Sequence, residues 1–371
     1  MFLPVQPLVF PIMLEKIKSK APSQLSSRST HRIFYLVPDH LVPSWGLGML
    51  YHHVLFLRAA GYQAFLLHRS ADFALPWLDC KAPVISLDSP PEFFDSDTLV
   101  VPEIFPLHPR ARAWKGPKLI HIQGGMPAGA TTDTDSLDYA AMGYQAALVQ
   151  LPHLRPMAEK FGGLPASVIP PFIAPYFFLP KGSKPLPKKK QVVFYAKKRS
   201  PDYTAFKKIA PAVLKRCRPL PGAENWRLIE LENYTHNAAA ELMKESAFFV
   251  NLNFWEAFNS SVPEAMAAGC IAFCYEAVGG ADFLRDKRNA FVFRSHHLYD
   301  LAGQLALALQ RYDSDAAHFR SLLKNALRTA ERFTADKTCE SVVNFFDGFF
   351  ARHCVPAPPQ DRLSNEQLRS A

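Results

Sequence analysis

At 371 residues, with 49% hydrophobic and 20% charged residues, the chain is too long for a single core and too apolar to be disordered, so two domains of about 150 to 200 residues each are expected. Lys and Arg outnumber Asp and Glu by 42 to 33, and the net charge of +9 favours anionic partners such as nucleotides, phospholipid surfaces or nucleic acid. The six cysteines (Cys80, Cys217, Cys270, Cys274, Cys339 and Cys354) are widely spaced, which excludes a disulfide scaffold and a paired CxxC zinc site and suits a reducing cytosol.

The opening "MFLPVQPLVFPIMLEKIKSK" is apolar and then basic, but its apolar run is short, three prolines interrupt it, and the charges follow it. It reads as a flexible extension over 1–30, with peripheral attachment to a membrane surface as the alternative. From His31 the pattern changes. "HRIFYLV" reads as a buried strand, "YHHVLFLRAAG" as a helix closed by Gly61, and "YQAFLLH" as the next strand. Further strands follow at "TLVVPEIF", "KLIHIQG", "AALVQL" and "SVIPPFI", with a helix at "LRPMAEKFG". Strands alternating with helices imply a parallel sheet covered on both faces, here over 31–180.

"FFLPKGSKPLPKKKQ" breaks the pattern with prolines, a glycine and a basic run, and 181–190 reads as a linker. Over 191–335 the alternation restarts: strands at "QVVFYA", "WRLIEL", "AFFVNLN" and "IAFCYE", helices at "YTAFKKIAPAVLKR", "NAAAELMKES" and "VPEAMAAG". The fold class is therefore α/β, with two Rossmann-like doubly wound domains and helices at the C-terminal end. In "AAHFRSLLKNALRTAERF", Phe319, Leu322, Leu323, Ala326, Leu327, Ala330 and Phe333 repeat at helical spacing, a core stripe. A helix is expected over 336–354 and a mobile polar tail over 355–371.

"AFFVNLNFWEAFNSSVPEAM" is a strand, a loop and a helix start at the carboxyl end of a strand, where open α/β sheets bind ligands. Glu256 falls in the loop and Glu264 in the first helical turn, while Asn259 sits where φ > 0 would be needed. Glu264 also has a structural reading, a capping box with Ser261 at the N-cap and Pro263 harmless in the first turn. Glu256 could be an ordinary solvated loop acid, but Phe254, Trp255 and Phe258 beside it suggest a partly dry surface on which a carboxylate needs a reason to stay.

The string "EAFNSSVPEAMAAGC" resembles the E-x7-E motif of retaining GT-B glycosyltransferases, in particular glycosyltransferase family 4. The likeness continues through "CYEAVGGADFLRDKRNAFVF"; the layout agrees over about 300 of the 371 residues and the close motif similarity runs from Glu256 to Phe293. The resemblance implies an N-terminal acceptor domain and a C-terminal nucleotide-sugar donor domain facing a cleft. It also implies that Glu256 contacts the transferred sugar and Glu264 the ribose, with the diphosphate over the backbone amides of Asn259, Ser260, Ser261 and Val262. In the family an arginine and a lysine about five residues apart bind the leaving diphosphate; here Lys197 matches the first and Asp202 occupies the second, so Lys198 or Arg199 would substitute. A solvated basic turn is the plain alternative for that cluster. In the first domain Gly46 and Gly48, expected in a loop before the helix, and Gln123 and Gly124 in "HIQGG" are cleft candidates, or simply turn residues.

Three D-x-D strings, at Asp95–Asp97, Asp133–Asp135 and Asp313–Asp315, lie in polar, turn-rich text rather than after a clear strand, so no cofactor and no obligatory metal are expected. The adjacent pairs His52/His53 and His296/His297 diverge on a helix, and His121 is expected as a satisfied core histidine. The resulting expectation is a cytoplasmic retaining hexosyl- or deoxyhexosyl-transferase, peripheral at the inner membrane face in one version. It would take a nucleotide-sugar donor and a glycan, lipid-linked or protein acceptor in polysaccharide or glycoconjugate synthesis, with same-face attack assisted by the departing phosphate as in the family. The rivals are a GT-B sugar-nucleotide epimerase, a sugar phosphorylase and a non-catalytic sugar-nucleotide or glycan-binding protein. Nucleic-acid binding ranks last because the cations are spread out.

Overall fold

The computed structural model describes residues 28–41, 44–70, 72–75, 77–78, 80–124, 136–183, 188–195, 201–217, 225–232 and 234–353. The expected N-terminal extension up to residue 27 and the tail from residue 355 lie outside them. The described residues form two compact units, divided between Pro171 and Phe172, with residues 336–353 belonging to the first unit.

In the first unit, β1 (Arg32–Leu36) leads to α1 (Trp45–Ala59) and β2 (Gln63–His68), and Gly61 at φ 98° turns the chain after the helix, a conformation glycine adopts without a Cβ penalty. β3 (Val84–Ser86), β4 (Thr98–Pro102), the short α2 (Pro109–Arg112), β5 (Lys118–Ile122), β6 (Ala146–Val149) and β7 (Ala166–Val168) follow. The strands pair in parallel in the order β3-β2-β1-β4-β5-β6-β7. β1, β4 and β6 are buried along their whole length, as strands covered on both faces must be, and this explains their continuous apolar text. Strand order reverses between β1 and β4, which makes the carboxyl ends of these strands the switch point of this sheet.

In the second unit, β8 (Lys189–Tyr195), α3 (Pro201–Cys217), β9 (Arg227–Glu230), α4 (His236–Glu245), β10 (Ser246–Asn251), α5 (Ser261–Ala267), β11 (Ile271–Tyr275) and β12 (Phe291–Phe293) alternate. These strands are also parallel, in the order β12-β11-β10-β8-β9, with the reversal between β8 and β10. The helices α6 (Leu298–Arg311) and α7 (Ala316–Ala330) complete the unit. Phe319, Leu322 and Leu323 of α7 join Phe248, Phe273, Phe206, Leu301 and Leu305 in its core; of the expected stripe, Leu327 alone is half-buried.

The last helix, α8 (Ala335–His353), returns to the first unit. Thr338 donates to the Pro170 carbonyl at 2.7 Å, Asp347 accepts from Arg28 Nε at 2.8 Å and from the Tyr62 hydroxyl at 2.6 Å, and Phe350 stacks on His31. Arg28, in the stretch expected to be an extension, is thus buried and anchored.

Candidate functional site

The reversal of strand order in the second unit lies between β8 and β10, where Tyr195 and Asn251, the last residues of the two strands, are register partners. The loop leaving β10 carries Glu256 and leads into α5, so the motif sits at the carboxyl-end edge of its sheet, the edge at which open α/β sheets characteristically take ligands. A buried amide–hydroxyl cluster sets the loop's path. Asn251 Nδ2 donates to Ser261 Oγ at 2.7 Å and to Asn259 Oδ1 at 3.2 Å, while Asn259 Nδ2 returns a bond to Asn251 Oδ1 at 3.1 Å. Asn259 has φ 47°, the left-handed conformation its position suggested, and its side chain is held while its backbone turns.

The capping box does not form. α5 begins at Ser261, so its N-cap is Ser260, which makes no side-chain cap bond; the Ser261 hydroxyl is engaged instead by Asn251 and Asn259. Of the backbone amides expected under the diphosphate, that of Val262 is already engaged, its N–H donating to the Asn259 carbonyl at 3.1 Å.

Glu264 is 5% exposed and Glu256 half-buried. Burial, then the Glu256 charge, then the Glu264 charge push the Tyr195 phenol up to about 12, so it stays protonated and both carboxylates act on one group at the end of β8. Glu264 Oε1 lies 3.2 Å from His236 Nε2, and His236 Nδ1 lies 2.6 Å from the Tyr176 hydroxyl. Sequence reasoning missed Tyr176, Tyr195 and His236. Tyr195 carries one partial signal, its place at the end of a readable strand; the other two carry no local signal.

Lys197, Lys198 and Arg199 lie outside the described residues. Asp202, which stands where the family's second cation falls, accepts from His296 Nδ1 at 2.9 Å.

In the first unit, Gly46 and Gly48 are not in a loop: α1 starts at Trp45, and Gly48 N–H already bonds the Ser44 carbonyl at 3.1 Å. Gln123 does reach this helix start, donating to the Gly46 carbonyl at 2.9 Å, and a Cβ on Gly46 would stand 2.9 Å from Gln123 Oε1. Gly124 N–H donates to Glu103 Oε1 at 2.6 Å. Glu103, beyond β4 and unnoticed in the sequence, is buried, and burial raises its carboxyl above the usual range. Gly46, Gln123, Gly124 and Glu103 thus meet at the carboxyl ends of this sheet's central strands.

His121 is fully buried, but neither ring nitrogen has a hydrogen-bond partner, so it is not the satisfied core histidine expected. Its ring lies 5.1 Å from that of His53 on α1, and burial depresses its pKa to about 3. Two of the D-x-D strings have structural jobs: Asp97 is buried against Arg32, Asp313 pairs with Lys190, and Asp315 caps α7 by accepting from His318 N. Asp133–Asp135 lies outside the described residues. Among the described residues no cluster of three or more His, Cys, Asp or Glu has metal-binding geometry, and no helix is long and apolar enough to cross a membrane. A separate open groove of about 870 Å³ runs along edge strand β12 and α6, lined by Phe291, Phe293, Tyr299 and Leu307, and includes none of the candidate site residues.

No family model and no curated protein sequence matches this chain. Solved structures do. Sucrose-phosphate synthase from Thermosynechococcus elongatus is similar with TM-score 0.61 and 13% identity, covering 87% of this chain and 100% of that one. A glycosyltransferase from Rickettsia africae gives TM-score 0.60 and 10% identity over 86% of this chain and 98% of that one. The pneumococcal O-GlcNAc transferase GtfA, solved in complex with UDP and GlcNAc, gives 0.50 and 12% over 69% of this chain and 57% of that one. The fold is therefore the two-sheet α/β layout of GT-B glycosyltransferases, with helices at the C-terminal end.

Proposed function

We propose that this protein is a retaining GT-B glycosyltransferase of the family 4 type, moving a hexosyl or deoxyhexosyl group from a nucleoside-diphosphate donor to an acceptor hydroxyl. The observation that carries the reading is the placement of Glu256 and Glu264 in the loop and helix that follow β10 at the β8/β10 reversal, where a parallel sheet offers a ligand site. The structural likeness to glycosyltransferases supports it, including a neighbour solved with UDP.

In this reading Phe172–Ala335 is the donor unit. Glu264 accepts hydroxyl hydrogens of the ribose, and Glu256 orients the sugar as positive charge develops at its anomeric carbon. The diphosphate leaves towards Lys197, Lys198 and Arg199 and the Asn259–Ser261 turn, whose cations and backbone dipoles act on charge that grows in the transition state. The first unit, with Gln123, Gly124 and Glu103, receives the acceptor, a glycan, a lipid-linked sugar or a protein, in polysaccharide or glycoconjugate synthesis in the cytoplasm.

A thermal-shift screen against nucleoside diphosphates and nucleotide sugars, followed by donor hydrolysis, tests the reading. A donor that raises Tm and is turned over supports it; binding without turnover points to a sugar-nucleotide-binding protein, and no binding overturns it. Because the diphosphate charge is assigned to side-chain cations and backbone, turnover should survive EDTA. Complete loss on chelation, restored by Mn²⁺, would remove that assignment.

A further inference from the structure

The bonding around Glu264 has a direction. A carboxylate only accepts, so the 3.2 Å contact requires the hydrogen of His236 on Nε2. In the neutral ring Nδ1 then accepts, and the Tyr176 hydroxyl, 2.6 Å away, is the donor. Burial, and then the charge of Glu264, hold the Tyr176 phenol well above its ordinary pKa, which keeps that donor in place at neutral pH.

The ring is also held sterically: Phe177 meets it edge-on at 4.8 Å and Tyr176 stands at 89° to it. The Glu264 side chain is 6% exposed and that of His236 36%, so the carboxylate is confined while the imidazole stands at the rim. One lone pair of Oε1 is taken by His236, which restrains the carboxylate plane and leaves Oε2 and the other lone pair of Oε1 as acceptors for a ligand. Two vicinal hydroxyls pair well with a carboxylate only if its plane is set, because each O–H must meet a lone pair in line.

We propose that His236, oriented by Tyr176, is a positioning residue that sets the Glu264 carboxylate to bind the vicinal 2′- and 3′-hydroxyls of a nucleotide's ribose, and so confers preference for ribo- over 2′-deoxyribonucleotides. This rests on the reading of Glu264 as the ribose contact. A residue that merely packs α4 would affect both kinds of nucleotide alike. α4 itself does not depend on His236, since its cap is the Thr235 hydroxyl accepting from Ala238 N at 3.2 Å.

The test is calorimetric binding of UDP, ADP and GDP and their 2′-deoxy counterparts to the full chain and to His236→Ala, His236→Gln, Tyr176→Phe and Glu264→Gln, with Tm measured without ligand as the folding control. For the base the protein accepts, His236→Ala should weaken ribonucleotide binding about tenfold and leave 2′-deoxy binding nearly unchanged, collapsing the preference. His236→Gln, whose amide N–H reaches the same oxygen, should restore most of it, and Tyr176→Phe should fall between. A wild-type ribo/deoxy ratio in His236→Ala overturns the inference while leaving the Glu264 assignment intact. A wild-type ratio in Glu264→Gln, or no nucleotide binding by the native protein, removes the underlying reading and the inference with it. Should His236→Ala fail to fold, an unchanged ratio in Tyr176→Phe would overturn the inference, because that variant keeps the imidazole and loses only what orients it.

Discussion

Glu256 is half-buried next to Trp255, which is 53% exposed, so the carboxylate stands at a boundary between dry and wet surface. If it holds the sugar more strongly in the transition state than in the ground state, Glu256→Gln should lower single-turnover transfer at saturating donor by about a hundredfold with donor affinity little changed. A wild-type rate would take Glu256 out of the chemistry. Asn259 combines a positive φ with buried hydrogen bonds to Asn251 and Ser261. Asn259→Ala should cost about 1 to 3 kcal/mol in denaturant unfolding, and Asn259→Gly about 1 kcal/mol less, because glycine recovers the backbone term but not the amide. Equal costs would mean that the left-handed backbone contributes nothing. The positive φ was legible because asparagine precedes a helix start in a turn-rich string. The contact between His236 and Glu264 was not, since 28 positions separate them and no period connects them.

At the scale of elements, α5 begins at Ser261 rather than capping from it, because the Ser261 hydroxyl is drawn into the Asn251–Asn259 cluster, a tertiary contact that outcompetes the local box. Likewise α1 takes in Gly46 and Gly48, weak helix formers, where Gln123, just past β5, holds the Gly46 carbonyl. α8 is fastened to the first unit through Asp347, which gathers Arg28 and the Tyr62 hydroxyl. Asp347→Ala leaves Arg28, 7% exposed, without that partner. Because water reaches Asp347, the cost should be about 1 to 2 kcal/mol and not that of a fully buried pair. Limited proteolysis should show α8 released first, and cleavage elsewhere in the first unit before α8 would contradict this tie.

Over the whole molecule, the first unit carries the acid sensitivity. Burial lowers His52 to about 4, His121 to about 3, and His53 well below its ordinary value, with the neighbouring His121 and His52 adding to the last. These groups stay neutral in the folded chain and take up protons near pH 6.5 when unfolded. Above that pH they leave stability unchanged. As pH falls through 6.5 towards the folded values, the unfolded state binds more protons and stability drops by about 1.4 kcal/mol per pH unit for each histidine. Denaturant unfolding at pH 7 and pH 5 should therefore show the first unit losing much more stability, and His121→Leu should flatten the slope by about one proton. An unchanged slope in that variant would show that His121 does not stay neutral on folding.

The sequence by itself determined the alternation of strands and helices in two successive α/β units, because parallel strands covered on both faces require unbroken apolar runs that helical text between them does not share. It also determined that two glutamates flank a turn after a strand, since "NLNFWEAFNSSVPEAM" places them there whatever the sheet order. Only the tertiary structure decided that β8 and β10 are neighbours, which pairs Tyr195 with Asn251 at the strand ends from which the glutamate loop departs. It alone set His236 and Tyr176 against Glu264, Gln123 over Gly46, and α8 on the first unit. These pairings join positions tens to hundreds of residues apart through crossover connections, and their energy comes from burial and hydrogen-bond geometry reached after the chain has folded, so no local period in the text encodes them.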